Sequence, residues 1–186
     1  GRDGLTVEFP EKSPIAGQLK SVARTIKIRD ALNTRRQVFY VFMGDYDTHS
    51  GQTGQLPSQH SKLSAAISAF RTEMINQGVW NDVTLFTMSE FGRTTIDNGD
   101  GTDHGWGGHH FVAGGSVAGK KIYGDIPTPD LTSDTFTSTH GRLIPKVSVE
   151  QYAATLGSWF GLDSTELAAA LPNLSNFNEK NLGFLT

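Results

Sequence analysis

Val38-Phe39-Tyr40-Val41-Phe42-Met43, closed by Gly44, is a six-residue run with no charge in it. β-branched and aromatic residues at that length read as a strand covered on both faces, the kind found in the middle of a parallel sheet. A second run, Val83-Thr84-Leu85-Phe86-Thr87-Met88, reads the same way. Between them a polar stretch from Asp45 to Ser61 leads into Leu63, Ala66, Ile67, Phe70, Met74 and Ile75, an amphipathic helix ended by Gly78. Strand, loop, helix and strand make a βαβ crossover, which is right-handed with parallel strands. The expected class is therefore α/β, a mostly parallel sheet with flanking helices in a single domain.

Working outward, Ser13-Pro14 opens an amphipathic helix reaching about Leu32, with Ile15, Leu19, Val22, Ala23 and Ile26 on one face. Phe111-Val112-Ala113 and Lys121-Ile122-Tyr123 read as short strands around Gly114-Gly115. Val149 to Phe160 is a helix capped by Gly161, and Ser164 to Leu171 a shorter one stopped by Pro172. Residues 89–110 form a Gly-, Asp- and His-rich loop, too long for a mere connector.

With 186 residues the chain can bury about two thirds of its unfolded surface. Its 16 Lys+Arg against 19 Asp+Glu are scattered, so nothing points to nucleic acid. No apolar run approaches the length of a membrane span. The absence of cysteine excludes disulfides, thiolate metal sites and cysteine nucleophiles. The opening Gly1-Arg2-Asp3-Gly4 has no initiator Met and reads as a cut point, which suggests a processed piece or fragment. Neither GxxxxGK[ST] nor a GxGxxG after a strand occurs, which argues against nucleotide cofactors.

In an open parallel sheet, ligands bind at the carboxyl ends of the strands. The first expected strand exits into Asp45-Tyr46-Asp47-Thr48-His49, the second into Ser89-Glu90-Phe91-Gly92-Arg93, with Asp103-His104 and His109-His110 close behind. Imidazole and carboxylate together suit zinc, manganese or iron, because borderline cations take nitrogen and oxygen donors at once. Each residue also has a plainer role open to it. Asp47 and His49 could hold a turn, Glu90 could pair with Arg93, and Asp103-His104 could staple the loop. Alternation sends the side chains of His109 and His110 to opposite faces, so one of them at most joins a site. His60 and His140 read as structural, and Trp106 as a loop anchor or a substrate platform. Asn98-Gly99-Asp100-Gly101 looks like a calcium-type turn but falls short of an EF-hand loop.

Taken in order, Asp45-Tyr46-Asp47-Thr48-His49, Ser89-Glu90-Phe91-Gly92-Arg93-Thr94 and Gly101-Thr102-Asp103-His104-Gly105-Trp106-Gly107-Gly108-His109-His110 resemble the bacterial domain-of-unknown-function family 1501. Gly141-Arg142-Leu143-Ile144-Pro145, the Ser148–Leu156 segment and Leu182-Gly183-Phe184-Leu185 fit it too. The resemblance implies an exported, periplasmic protein, commonly with a twin-arginine leader, grouped with the alkaline phosphatase and sulfatase superfamily. Full members are roughly twice this length, which makes this chain look like a C-terminal half whose nucleophile lies elsewhere. The implied activity is metal-dependent hydrolysis of phosphate or sulfate esters, of small molecules or carbohydrates. Asp47, His49, Glu90, Asp103, His104 and His110 are then the metal-ligand candidates, zinc first and manganese or iron next. Arg93 would stabilise charge on the transferred group. Glu90 and Phe91 depart from the superfamily's Ser-Asp-His-Gly pattern, so Asp103-His104 could supply the displaced pair. The alternative is a non-catalytic exported protein that binds carbohydrate or builds the envelope. An uncovered sheet edge would call for a second chain, either an N-terminal one or another copy.

Overall fold

The computed structural model describes residues 4–128, 130–132, 136–137 and 141–185; His140 lies outside them. Its contacts divide the chain into two compact units, Gly1–Val83 with Asp97–Asp103, and Thr84–Ile96 with His104–Thr186.

The first unit is built on two helices, α1 (Pro14–Lys27) and α2 (Gln52–Asn76). Pro14 at the start of α1 needs no hydrogen-bond donor and has its φ preset, so the helix begins where the sequence predicts. It ends five residues short of Leu32, after Lys27, with Arg24 and Lys27 in its last turn suiting the negative end of the helix dipole. Ile15, Ala16, Leu19, Ala23 and Ile26 are buried on one face, as are Ala66, Phe70 and Met74 of α2. Small residues at Ala16, Ala23 and Ala66, all 0% exposed, leave room for close helix packing. α2 starts about ten residues before its first periodic apolar residue, Leu63. Residues 52–61 read as part of a polar stretch, yet they are helical, with Pro57 inside the helix.

Glu73 of α2 is fully buried. Its carboxylate accepts from the Thr6 and Val7 backbone N–H groups and the Thr6 hydroxyl, each at 2.9 Å, and from Gln77 Nε2 at 2.9 Å. Burial by itself raises its pKa; the bonds from Gln77, Thr6 and Val7 outweigh that and hold it below the ordinary carboxylate value. The chain before α1 is thereby pinned to α2.

In the second unit β1 (Thr84–Phe86) pairs antiparallel with β4 (Val112–Gly114), Leu85 opposite Ala113. β2 (Gly92–Asp97) pairs with β3 (Thr102–Gly105), and β5 (Phe136–Thr137) runs antiparallel to β6 (Arg142–Leu143). Helices α3 (Val149–Phe160) and α4 (Ser164–Ala170) follow, each opened by a reciprocal cap, Ser148 with Gln151 and Asp163 with Glu166. Tyr152 of α3 packs against Phe86 and Phe184, and Tyr123 against Phe184.

The mostly parallel sheet with flanking helices is thus overturned. Among the described residues the strands make three two-stranded sheets, and none contains the first expected strand. Val38–Met43 is neither strand nor helix, and Val38 and Tyr40 are 76% and 85% exposed. The physical reason is pairing: apolar composition favours a strand, but a strand exists only where a second one meets its backbone donors and acceptors. The second expected strand does form, as β1, but its partner is β4 from 26 residues downstream in a local antiparallel pair. Ile122 of the expected strand 121–123 is exposed and unassigned, whereas the expected strand around Val112 is present.

Candidate metal centre

The site in the first unit is assembled from two segments, residues 45–52 leading into α2 and the hairpin tip 97–103. Asp45 adopts a left-handed backbone (φ 68°), a region that Asp tolerates better than most residues, and redirects the chain after the exposed run. Thr48 is buried, its carbonyl accepting from Thr102 N at 3.1 Å. Gly101 is what allows this approach, because a Cβ there would run into the Thr48 and His49 carbonyls. Asp100 covers the start of α2: its carboxylate accepts from Gly51 N at 2.9 Å and its carbonyl from Gln52 N at 3.1 Å. Asn98 donates from Nδ2 to the His49 carbonyl at 3.1 Å and to Asp103 Oδ1 at 3.2 Å, while its Oδ1 accepts from Gly101 N at 2.9 Å.

The result is an imidazole between two carboxylates. His49 Nε2 lies 3.1 Å from Asp47 Oδ1 and His49 Nδ1 lies 3.3 Å from Asp103 Oδ1. All three side chains are about half exposed, at 54%, 50% and 45% for Asp47, His49 and Asp103. A neutral imidazole donates from one nitrogen and keeps a lone pair on the other, so with Asp103 accepting from Nδ1–H the Nε2 lone pair lies beside Asp47. His49 Nε2 and Asp47 Oδ1, 3.1 Å apart, are the nitrogen and oxygen donors that zinc, manganese and iron accept, while Asp103 holds the ring through its other nitrogen. The buried Thr48 hydroxyl has no hydrogen-bond partner among the described residues.

The other expected site residues belong to the second unit. His104 follows Asp103 directly in the chain; its ring stacks on Phe91, centroids 3.9 Å apart and planes 11° from parallel. The Arg93 guanidinium lies 5.8 Å from the centre of the same Phe91 ring. Glu90 is exposed and, among the described residues, makes no ion pair with Arg93 or any other cation. His110 places Nδ1 3.4 Å from Thr87 Oγ1 and stacks on Tyr152 at 6.2 Å. Burial lowers its pKa, and the neighbouring His109 lowers it further. Tyr152 donates to the Thr87 carbonyl at 3.2 Å, and burial pushes its pKa up to about 12. His60, expected to be structural, sits in α2 with its ring 5.9 Å from that of Tyr46.

Sequence reading missed the supporting residues. Asn98 and Asp100 read as a calcium-type turn, yet their side-chain oxygens accept from backbone N–H groups within the cluster. The available signal was the glycine alternation in Asn98-Gly99-Asp100-Gly101, which marks a tight hairpin tip.

The sequence profile described as "Protein of unknown function (DUF1501)" matches residues 8–175. The chain belongs to the DUF1501 family. The matched span includes Asp47, His49 and Asp103 and every other candidate from Glu90 to His110. No curated protein and no solved structure matches this DUF1501 chain.

Proposed function

We propose that this DUF1501 protein is an exported metal-dependent hydrolase of phosphate or sulfate esters, with Asp47 and His49 as ligands of a divalent cation and Asp103 orienting the His49 ring. The observation that carries the reading is His49, whose two ring nitrogens each face a carboxylate within 3.3 Å. Zinc is the first choice, manganese or iron the next. When bound, the cation supplies Lewis acidity toward an ester oxygen and lowers the pKa of a water or hydroxyl nucleophile.

The chain's own residues have separate tasks. Asn98 orients Asp103 and anchors the His49 backbone, so the ligand set is prearranged. Arg93 offers a planar guanidinium suited to the paired oxygens of a phosphate or sulfate group. The substrate class is a small-molecule or carbohydrate ester. A non-catalytic exported binding protein is the second reading, favoured by the fact that the two His49 contacts also serve as a hydrogen-bonded staple.

Elemental mass spectrometry on protein purified without chelator or affinity metal separates the two readings. Near-stoichiometric zinc, manganese or iron in the wild type, absent from a His49→Ala/Asp103→Ala variant, together with turnover of aryl phosphates or sulfates, is the expected result. Metal-free wild-type protein that takes up none of these ions on titration would leave only the staple.

A further inference from the structure

The run Val38–Met43 combines three properties. Val38, Phe39, Tyr40 and Phe42 are exposed, Tyr40 at 85%, Val38 at 76% and Phe42 at 61%, and Val41 and Met43 are half-buried. Among the described residues, its backbone makes hydrogen bonds at Phe42 alone, where Gln18 donates from Nε2 to the carbonyl at 2.7 Å and accepts from the N–H at 2.8 Å. That double contact reproduces what a neighbouring strand offers one residue. Finally, the run is uncharged but has charged ends of opposite sign, Arg35-Arg36 before it and Asp45 and Asp47 after it. Neither arginine forms an ion pair among the described residues.

We infer that Val38–Met43 is a docking strand for a second copy of this chain, the two runs pairing antiparallel about a two-fold axis. In an extended strand alternate residues turn their backbone groups to opposite edges, so the edge of Phe39, Val41 and Met43 faces away from Gln18 and is open. Pairing along that edge about Val41 sets Phe39 across from Met43 and Tyr40 across from Phe42, both favourable cross-strand neighbours. The same pairing carries the Arg35-Arg36 end of one copy to the Gly44-Asp45 end of the other, at both ends of the ladder. A parallel arrangement would put like charges side by side, so the charge pattern selects both the partner and the orientation.

The test is sedimentation velocity of the whole chain over a concentration series. Wild-type protein is expected to form dimers, and Val38→Lys/Tyr40→Lys to be monomeric with unchanged circular dichroism, since both side chains are already exposed. Arg35→Glu/Arg36→Glu and Asp45→Lys are each expected to weaken self-association on the order of tenfold through like-charge contacts. Lysine is acceptable at position 45 because Lys12 and Lys120 adopt the same left-handed backbone. An equimolar mixture of the two charge variants should recover the dimer, because each then meets its opposite. Three results overturn the inference: wild-type protein that stays monomeric, a dimer indifferent to all these substitutions, or a monomer whose run binds lipid vesicles instead.

Discussion

Two carboxylate sites in the same helical unit have opposite surroundings. Glu73 is shut inside, and four donors from Thr6, Val7 and Gln77 close around it. Asp47 and Asp103 stand half-exposed on either side of one imidazole. A carboxylate whose lone pairs are taken by backbone and amide donors holds structure and has nothing left for a ligand. Carboxylates that stand about half exposed beside a single imidazole can be reached by a cation without unfolding anything. Burial alone is therefore a poor guide to which acidic residue binds.

The contrast fails if the two sites respond alike, and the sharpest probe is Glu73→Ala. Leaving two backbone N–H groups, a hydroxyl and an amide without their charged acceptor should cost about 3 kcal/mol or more, read from urea denaturation. Metal uptake by the folded fraction should be unchanged. Gly101→Ala should cost about 2 kcal/mol, because the new methyl group forces Thr48 and His49 away from the hairpin tip. Unlike Glu73→Ala, it should also weaken metal binding, and zinc titration calorimetry on both variants shows whether the effects divide this way.

Asp103→Ala reverses the pattern. We expect metal affinity to fall by at least about tenfold, with apo-protein stability changed by less than about 0.5 kcal/mol. The pH dependence gives a smaller signal. Glu73 has a folded pKa below its unfolded value, so its contribution to stability is complete above the ordinary carboxylate range. It should decline as pH falls through that range toward the folded pKa. The slope of stability against pH below about 5 should flatten in Glu73→Gln. Smallest of all, the His110 ring should titrate below the usual 6.5 in nuclear magnetic resonance spectra, and Tyr152→Ala should move it back toward that value.

Periodicity made the helices legible. The end of α3 was readable from Gly161, and that of α4 to within a residue from Pro172, because caps and stops are local chemistry. The apolar face of α1 was readable for the same reason. The start of α2 was hidden by Gly54 and Pro57, whose intrinsic preference is for loops but which the packed helix tolerates. Hairpin β2–β3 fell inside a stretch read as loop, since Gly92, Gly99, Gly101 and Gly105 mask its alternation. As for the candidate centre, the pairing of Asp47 with His49 was visible as a two-residue spacing. Its meeting with Asp103 was visible only as a suspicion, because 54 residues separate the two halves.

By itself the sequence determined the apolar faces of the helices and most of their ends, the family, and the imidazole and carboxylate chemistry concentrated between Asp45 and His110. These follow from contacts within a few residues or from composition. Strand partnership was decided by the tertiary structure: Val38–Met43 and Val83–Met88 have the same apolar character, yet only part of the second finds a partner. Which acidic residue is walled in and which faces a histidine was decided there as well. Both outcomes depend on what distant segments bring to a side chain, and no local pattern of residues encodes that.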